Sequence, residues 1–152
     1  MGARVAHVVP TDRIAYLLLR NRLARLSAAG YEIHLLCGRA PDSGAANGVD
    51  YHTGLTQLGI QVHYQVFERE ISPLADARCA AQLFRAVRNG GYDILHTHNP
   101  KGGLLGPPVA RLGGAPHVLH TVHGFLFHDR IGGLHRAAAL AAERWTARWC
   151  DH

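Results

Sequence analysis

Two short stretches carry side chains able to do chemistry at close spacing. In the first, Ile94-Leu95 runs into His96-Thr97-His98 and then Asn99-Pro100-Lys101-Gly102-Gly103. In the second, Val118-Leu119 runs into His120-Thr121-Val122-His123-Gly124. Side chains alternate along an extended strand, so His96 and His98 share a face. Imidazole can bind a metal, or donate and accept hydrogen bonds with a sugar hydroxyl near neutral pH. The Asn-Pro-Lys-Gly-Gly segment suits an anion. Glycines let backbone N–H groups approach a ligand, a helix start carries partial positive charge, and Lys101 adds a point charge.

A metal would need partners for His96 and His98. His120 and His123 are available, but carboxylates are sparse: Asp93 precedes the strand and Asp129 lies in the following loop. Twelve histidines in 152 residues also make chance clusters easy. The expectation is no bound metal. The lysine segment lacks Gly-Lys-Ser/Thr at Walker spacing, and Val8-Val9-Pro10-Thr11-Asp12-Arg13 after the first strand lacks the dinucleotide glycine pattern. A nucleotide cofactor held as in dehydrogenases is therefore not expected. Each feature has a plainer explanation. Gly102 and Gly103 would serve a tight turn and close helix packing, and His123 would be satisfied by backbone carbonyls.

The elements that must position these residues follow from hydrophobic periodicity. Strands are expected at 4–9, 31–38, 59–66, 92–98 and 117–123. Helices are expected from 13 to Gly30, from Ser72-Pro73 to Gly90-Gly91, from Lys101 to Gly114, and from 132 to 150. In the first helix Ile14, Leu17, Leu18, Leu23 and Leu26 recur at helical spacing. In the last, Leu134, Ala138, Ala141, Trp145 and Trp149 mark a face expected to pack on the core. The segment 39–50 reads as loop. Strand and helix in alternation predict an α/β fold, a doubly wound parallel sheet covered on both faces. Ligands then bind beyond the carboxyl ends of the strands, where strand order reverses. His96, His98 and His123 would sit at those ends, pointing into the crevice and not into the core.

The totals fit one domain over 1–152. Hydrophobic residues make up 47%, enough for a core. The start lacks the basic and apolar regions of a signal peptide, and no apolar run reaches the ~20 residues that span a bilayer. Three cysteines, Cys37, Cys79 and Cys150, at unrelated spacings argue for a reducing, cytoplasmic setting. A net charge of +5 favours anionic partners. No aromatic-basic motif supports nucleic acid, so none is expected as a partner. Arg136, Arg144 and Arg148 beside Trp145 and Trp149 could mark an interfacial membrane helix, but a solvated face on a packed helix is the simpler account.

Taken together, "GYEIHLLCG", "GIQVHYQVFEREISPL", "YDILHTHNPKGGLLGPPVARLGGAPHVLHTVHGF" and "ERWTARWCDH" resemble the amino-terminal domain of family 4 glycosyltransferases. The match is nearest to the bacterial branch that builds capsule, exopolysaccharide or lipid-linked glycans. The resemblance implies the Rossmann-like amino-terminal half of a GT-B fold, lacking its last strands here, and retaining transfer from a UDP- or GDP-linked sugar with no metal needed. By position, His123 matches the histidine at the donor sugar and reacting centre. His98, Asn99, Pro100, Lys101 and Gly102, with Gly124 after His123, match the cleft lining. Pro10, Thr11, Asp12 and Arg13 match the loop that contacts the acceptor or diphosphate, although the glycine pair common there is missing. The carboxyl-terminal donor domain, in the same gene or a separate chain, is an implied partner, as is a glycan or lipid-linked acceptor. Peripheral contact with the inner face of the membrane is implied too. No cofactor is expected within the chain. Without the donor domain's diphosphate clamp the chain is expected to be inactive alone. Two other readings stay open: a non-catalytic sugar- or glycan-binding module, and a metal-dependent hydrolase using His96 and His98.

Overall fold

A computed structural model describes residues 2–44, 49–65, 67, 72–124 and 132–151. Five parallel strands form one sheet: β1 (Arg4–Thr11), β2 (Glu32–Gly38), β3 (Gln61–Tyr64), β4 (Ile94–His98) and β5 (His117–Thr121). Their order is β3-β2-β1-β4-β5. β1 is central because Val5, Ala6, Val8 and Val9 are apolar on both faces and buried on both, as a parallel sheet requires. The chain builds outward from β1 to β3, then crosses back to lay β4 on the other side. The reversal falls between β1 and β4, and sheets of this kind bind ligands at the carboxyl ends of such strands.

Helices flank both faces. On one side run α1 (Asp12–Ile14), a π-helical turn (Ala15–Leu19), α2 (Arg20–Ala28) and α3 (Tyr51–Thr56). Ala15, Leu19, Leu23 and Leu55 pack there against Val5, Val9, Ile33 and Leu35. On the other side run α4 (Pro73–Gly90), α5 (Asn99–Gly113) and α6 (Gly133–Ala147). Cys79, Leu83, Val87 and Ala110 pack there against Ala6, Val8, Leu36, Leu95 and Val118. Gly91 and Gly114 end α4 and α5 with φ of 58° and 90°, the left-handed conformation that glycine adopts without a Cβ penalty.

Three local expectations change, and one sheet edge is covered. The wider π turn rotates the first helical run, so Leu19 is buried while Leu17 and Leu18 are each 58% exposed. Leu134 and Trp145 are also exposed, and α6 buries Thr146 instead. α3 was not expected. Asp50 caps it by accepting from the Thr53 backbone and hydroxyl, and Tyr51 and Leu55 anchor it. Finally, the outer edge of β5 is not left open at Val118. The Asp151 N–H donates to the Val118 carbonyl at 2.8 Å, and its carboxylate accepts the Val118 N–H at 2.8 Å.

Candidate functional site: a line of histidines at the strand ends

Register brings the site together. His7 in β1 lies opposite His96 in β4, and both project to the same face as His98, two residues on. The His96 and His98 ring centroids are 4.2 Å apart, and those of His7 and His96 are 5.1 Å apart. His7 Nδ1 is 3.0 Å from His98 Nε2. His98 Nδ1 is 3.1 Å from Nε2 of His123, just past the end of β5. One line of imidazoles thus crosses β1, β4 and the β5 terminus. Its inner members, His7 and His98, are 1% and 0% exposed, whereas His123 is exposed. His96 stands beside the line and pairs with the Thr121 hydroxyl at 2.8 Å.

The expectation that His98 points into the crevice is therefore corrected. It is buried between two other rings, and only His123 presents itself outward. Burial, with further lowering by the other histidines and by Arg22, pushes His98 down to about 2 and His7 to about 3. His96 falls to about 4, again mainly through burial. All three are neutral at physiological pH. His7, His96 and His98 each place a ring nitrogen within 4.8 Å of the others, the one group among the described residues with metal-binding geometry. Three neutral nitrogens suit zinc and not magnesium or calcium.

The remaining sequence candidates have structural positions that differ from their expected ones. Asn99 to Gly103 is not a connecting loop; it is the first turn of α5, entered through Asn99 at a φ of 65°. Pro100 occupies the first turn, where a missing N–H costs nothing. Lys101 Nζ sits 2.7 Å from Asp76 Oδ1 of α4, so its charge is already engaged within the fold. Gly102 is buried under β1, where an added Cβ would meet the Val8 carbonyl at 3.6 Å. A Cβ on Gly103 would lie 2.5 Å from the His120 ring, and one on Gly106 would lie 2.5 Å from the Thr97 methyl. Those two glycines serve close helix-sheet packing, the plainer of the explanations considered. His120 faces α5 and pairs with Thr97 Oγ1 at 2.8 Å, on the opposite side of the sheet from His98.

The loop after β1 divides in a similar way. Pro10 and Thr11 are half-buried, and Thr11 Oγ1 accepts from the Ile14 N–H at 3.3 Å as the helix cap. Asp12, expected to meet a ligand, is 0% exposed. Its Oδ1 accepts from the Arg13 and Ala40 N–H groups, each at 2.8 Å. Its Oδ2 accepts from Tyr64 OH at 2.9 Å and Ser43 Oγ at 3.2 Å. This carboxylate pins the ends of β1, β2 and β3 together. Arg13 stays exposed and ion-pairs with Asp42 at 2.7 Å. Gly124 is exposed beside His123, and the apolar segment 125–129 lies outside the described residues.

Sequence reasoning missed His7 altogether. Its signal was a polar residue inside the strand "RVAHVV", unexplained between Val5-Ala6 and Val8-Val9. It also missed a second pair at the opposite end of the sheet. There His34 Nδ1 meets His63 Nε2 at 3.0 Å, and His34 Nε2 meets Glu32 Oε1 at 2.9 Å.

The family model for the glycosyl transferase 4-like domain matches residues 18–152. The chain belongs to this family. Among curated proteins, the glycosyl transferase 4-like domain is 48% identical over 61 residues to the UDP-Gal:alpha-D-GlcNAc-diphosphoundecaprenol alpha-1,3-galactosyltransferase of Escherichia coli. That match covers 40% of this chain and 16% of the relative. The fold is shared with solved structures at low identity. A UDP-N-acetylglucosamine 2-epimerase superposes with a TM-score of 0.66 at 14% identity, covering 99% of this chain and 41% of the epimerase. A sucrose-phosphate synthase from Thermosynechococcus elongatus gives 0.59 at 14% identity, over 97% of this chain and 73% of the other. The calicheamicin glycosyltransferase CalG4 gives 0.55 at 13% identity, over 100% and 38%. The Rossmann-like fold of the glycosyl transferase 4-like domain is thus the one found in GT-B enzymes. No helix among its described residues is long and apolar enough to cross a membrane.

Proposed function

We propose that this domain is the acceptor-side half of a retaining glycosyltransferase. It would work with a carboxyl-terminal donor domain, in the same or a separate polypeptide, and be inactive without it. The observation that carries the reading is the exposed His123 just past the end of β5, backed by buried His98 and His7. An outward imidazole on a rigid base can hold a sugar hydroxyl in one orientation. The donor would be a UDP- or GDP-linked sugar. The E. coli relative's name points further, to UDP-linked donors and a diphosphoundecaprenol-linked acceptor. The α-linked galactose in that name, drawn from UDP-galactose, fits transfer with retention. A lipid-linked acceptor would bring the domain to the cytoplasmic face of a membrane, where exposed Arg13, Arg20, Arg22 and Arg25 could meet anionic headgroups.

The test is sugar transfer from a panel of UDP- and GDP-sugars to a diphosphoundecaprenol-linked N-acetylglucosamine. The chain is assayed alone and with the carboxyl-terminal half of the E. coli relative. Transfer only with both halves, abolished by His123→Ala, is expected. Transfer by the chain alone would end the claim that it needs a donor domain. Silence in both settings would favour a glycan-binding module. One observation favours a metal instead, the grouping of His7, His96 and His98. Against it, no carboxylate joins the group and both His98 nitrogens already face other imidazoles. Elemental analysis of the purified chain is expected to show no stoichiometric zinc; one equivalent, lost in His96→Gln, would revive the hydrolase reading.

A further inference from the structure

The line of three imidazoles can carry its protons in only two ways. Each contact joins one nitrogen to one nitrogen, so each needs one donor and one acceptor. A doubly protonated His98 would leave a buried cation between two rings, with no carboxylate among its hydrogen-bond partners. It is therefore neutral, with one proton, and burial supports this by lowering its affinity for a second. If that proton sat on Nε2, His98 would donate inward to His7 Nδ1. The single proton of neutral His7 would then sit on its Nε2. That atom is buried and has no hydrogen-bond partner. A buried N–H without an acceptor is among the rarest features of folded proteins, whereas an underused acceptor is tolerated more often.

We infer that the protons run outward: His7 Nδ1–H donates to His98 Nε2, and His98 Nδ1–H donates to His123 Nε2, so that neutral His123 carries its proton on Nδ1. His7 and His98 are then positioning residues. They occupy the His123 nitrogen that faces the protein and leave it presenting an N–H donor, not a base, to whatever enters the crevice. Taken with the sugar-transfer reading on which its functional meaning rests, the partner of that donor is a sugar oxygen acting as acceptor. His123 would not be the group that removes a proton from an incoming hydroxyl.

Long-range 1H–15N correlation spectra of the 15N-labelled chain at pH 7.5 read the tautomer of each ring directly and need no substrate. Nδ1–H at His7, His98 and His123 is the expected pattern. Nε2–H at His98 or His123, or a doubly protonated His98, would overturn the inference. His7→Phe leaves His98 Nε2 as a buried acceptor without a partner, the tolerated state, so Nδ1–H at His98 and His123 is expected to persist. His7→Glu, whose carboxylate only accepts, is expected to draw the His98 proton to Nε2 and turn His123 to Nε2–H. An unchanged His98 and His123 pattern in folded His7→Glu would remove His7 from the positioning role. Should that variant not fold, the wild-type spectrum alone decides the direction. A silent transferase assay beside the expected spectrum would sink only the sugar-transfer reading; an active one beside the opposite tautomer would sink only this inference.

Discussion

His98 lies sandwiched between His7 and His123, with Nε2 3.0 Å from one ring and Nδ1 3.1 Å from the other. Folded His98 and His7 are held down to about 2 and 3, against a usual value of 6.5. Below 6.5 the unfolded chain therefore binds protons that the folded chain refuses. Stability from these groups is fully present above 6.5 and is lost as pH falls toward the folded values. At pH 5.5 each such ring would cost about 1.4 kcal/mol, so the pair costs at most about 3 kcal/mol. Urea unfolding midpoints are expected to fall between pH 7.5 and 5.5. A folded His7→Phe/His98→Phe double variant should show a flatter profile; an unchanged slope would mean the two rings are not neutral in the fold.

Asp12 holds two backbone N–H groups on one oxygen and two hydroxyls on the other. The N–H groups can only donate, but the hydroxyls of Ser43 and Tyr64 can turn round and accept. Asp12→Asn can therefore keep its oxygen on the N–H pair and offer its amide to the hydroxyls. Asp12→Ala leaves four buried or half-buried groups unmatched. The alanine variant is expected to lose about 3 kcal/mol or more and the asparagine variant about 1 kcal/mol, measured by chemical denaturation. Equal losses would show that charge, not hydrogen-bond geometry, makes this residue necessary.

Gly106 has no room for a methyl group, because the Thr97 methyl would lie 2.5 Å from it. Gly106→Ala must push α5 off β4, and about 1–3 kcal/mol of destabilisation is expected from overpacking. Pairing it with Thr97→Ser, which removes the offending methyl, should recover part of that loss. No recovery in the double variant would place the strain elsewhere.

The π turn makes a contrast between neighbouring leucines. Leu19 is 1% exposed and Leu18 58% exposed. Leu19→Ala should lower stability by about 2–5 kcal/mol, and Leu18→Ala by less than about 0.5 kcal/mol. Thermal melts of the two variants suffice. A regular α-helix through 15–19 would turn other positions inward and shrink the difference.

Strand positions and the doubly wound parallel sheet were legible in the sequence because apolar runs, capping residues and terminal glycines all pointed the same way. What was not legible depended on facts the linear pattern does not hold. His7 needed the β1-β4 register to become a partner of His98. Lys101 looked like a ligand for an anion until α4 brought Asp76 beside it. Asp12 carried the polarity of a surface loop residue, yet three strand ends converge on it. Leu17 and Leu18 fitted a regular helical period, and one wide turn moved them outward. In each instance a long-range contact or a local irregularity overrode a pattern that was locally sound.

The central place of β1 has a consequence for how this polypeptide is made. β1 pairs on one side with β2 and on the other with β4, and Arg4 meets Asp93 across a separation of 89 residues. During synthesis at about 5–20 residues per second, the second edge of β1 waits roughly 4–18 s for its neighbour to be translated. Throughout that interval an almost wholly apolar strand has one side unclaimed, a ready template for another nascent chain. The yield of soluble protein should accordingly depend on translation speed before residue 98 and on chaperones that reach the ribosome early.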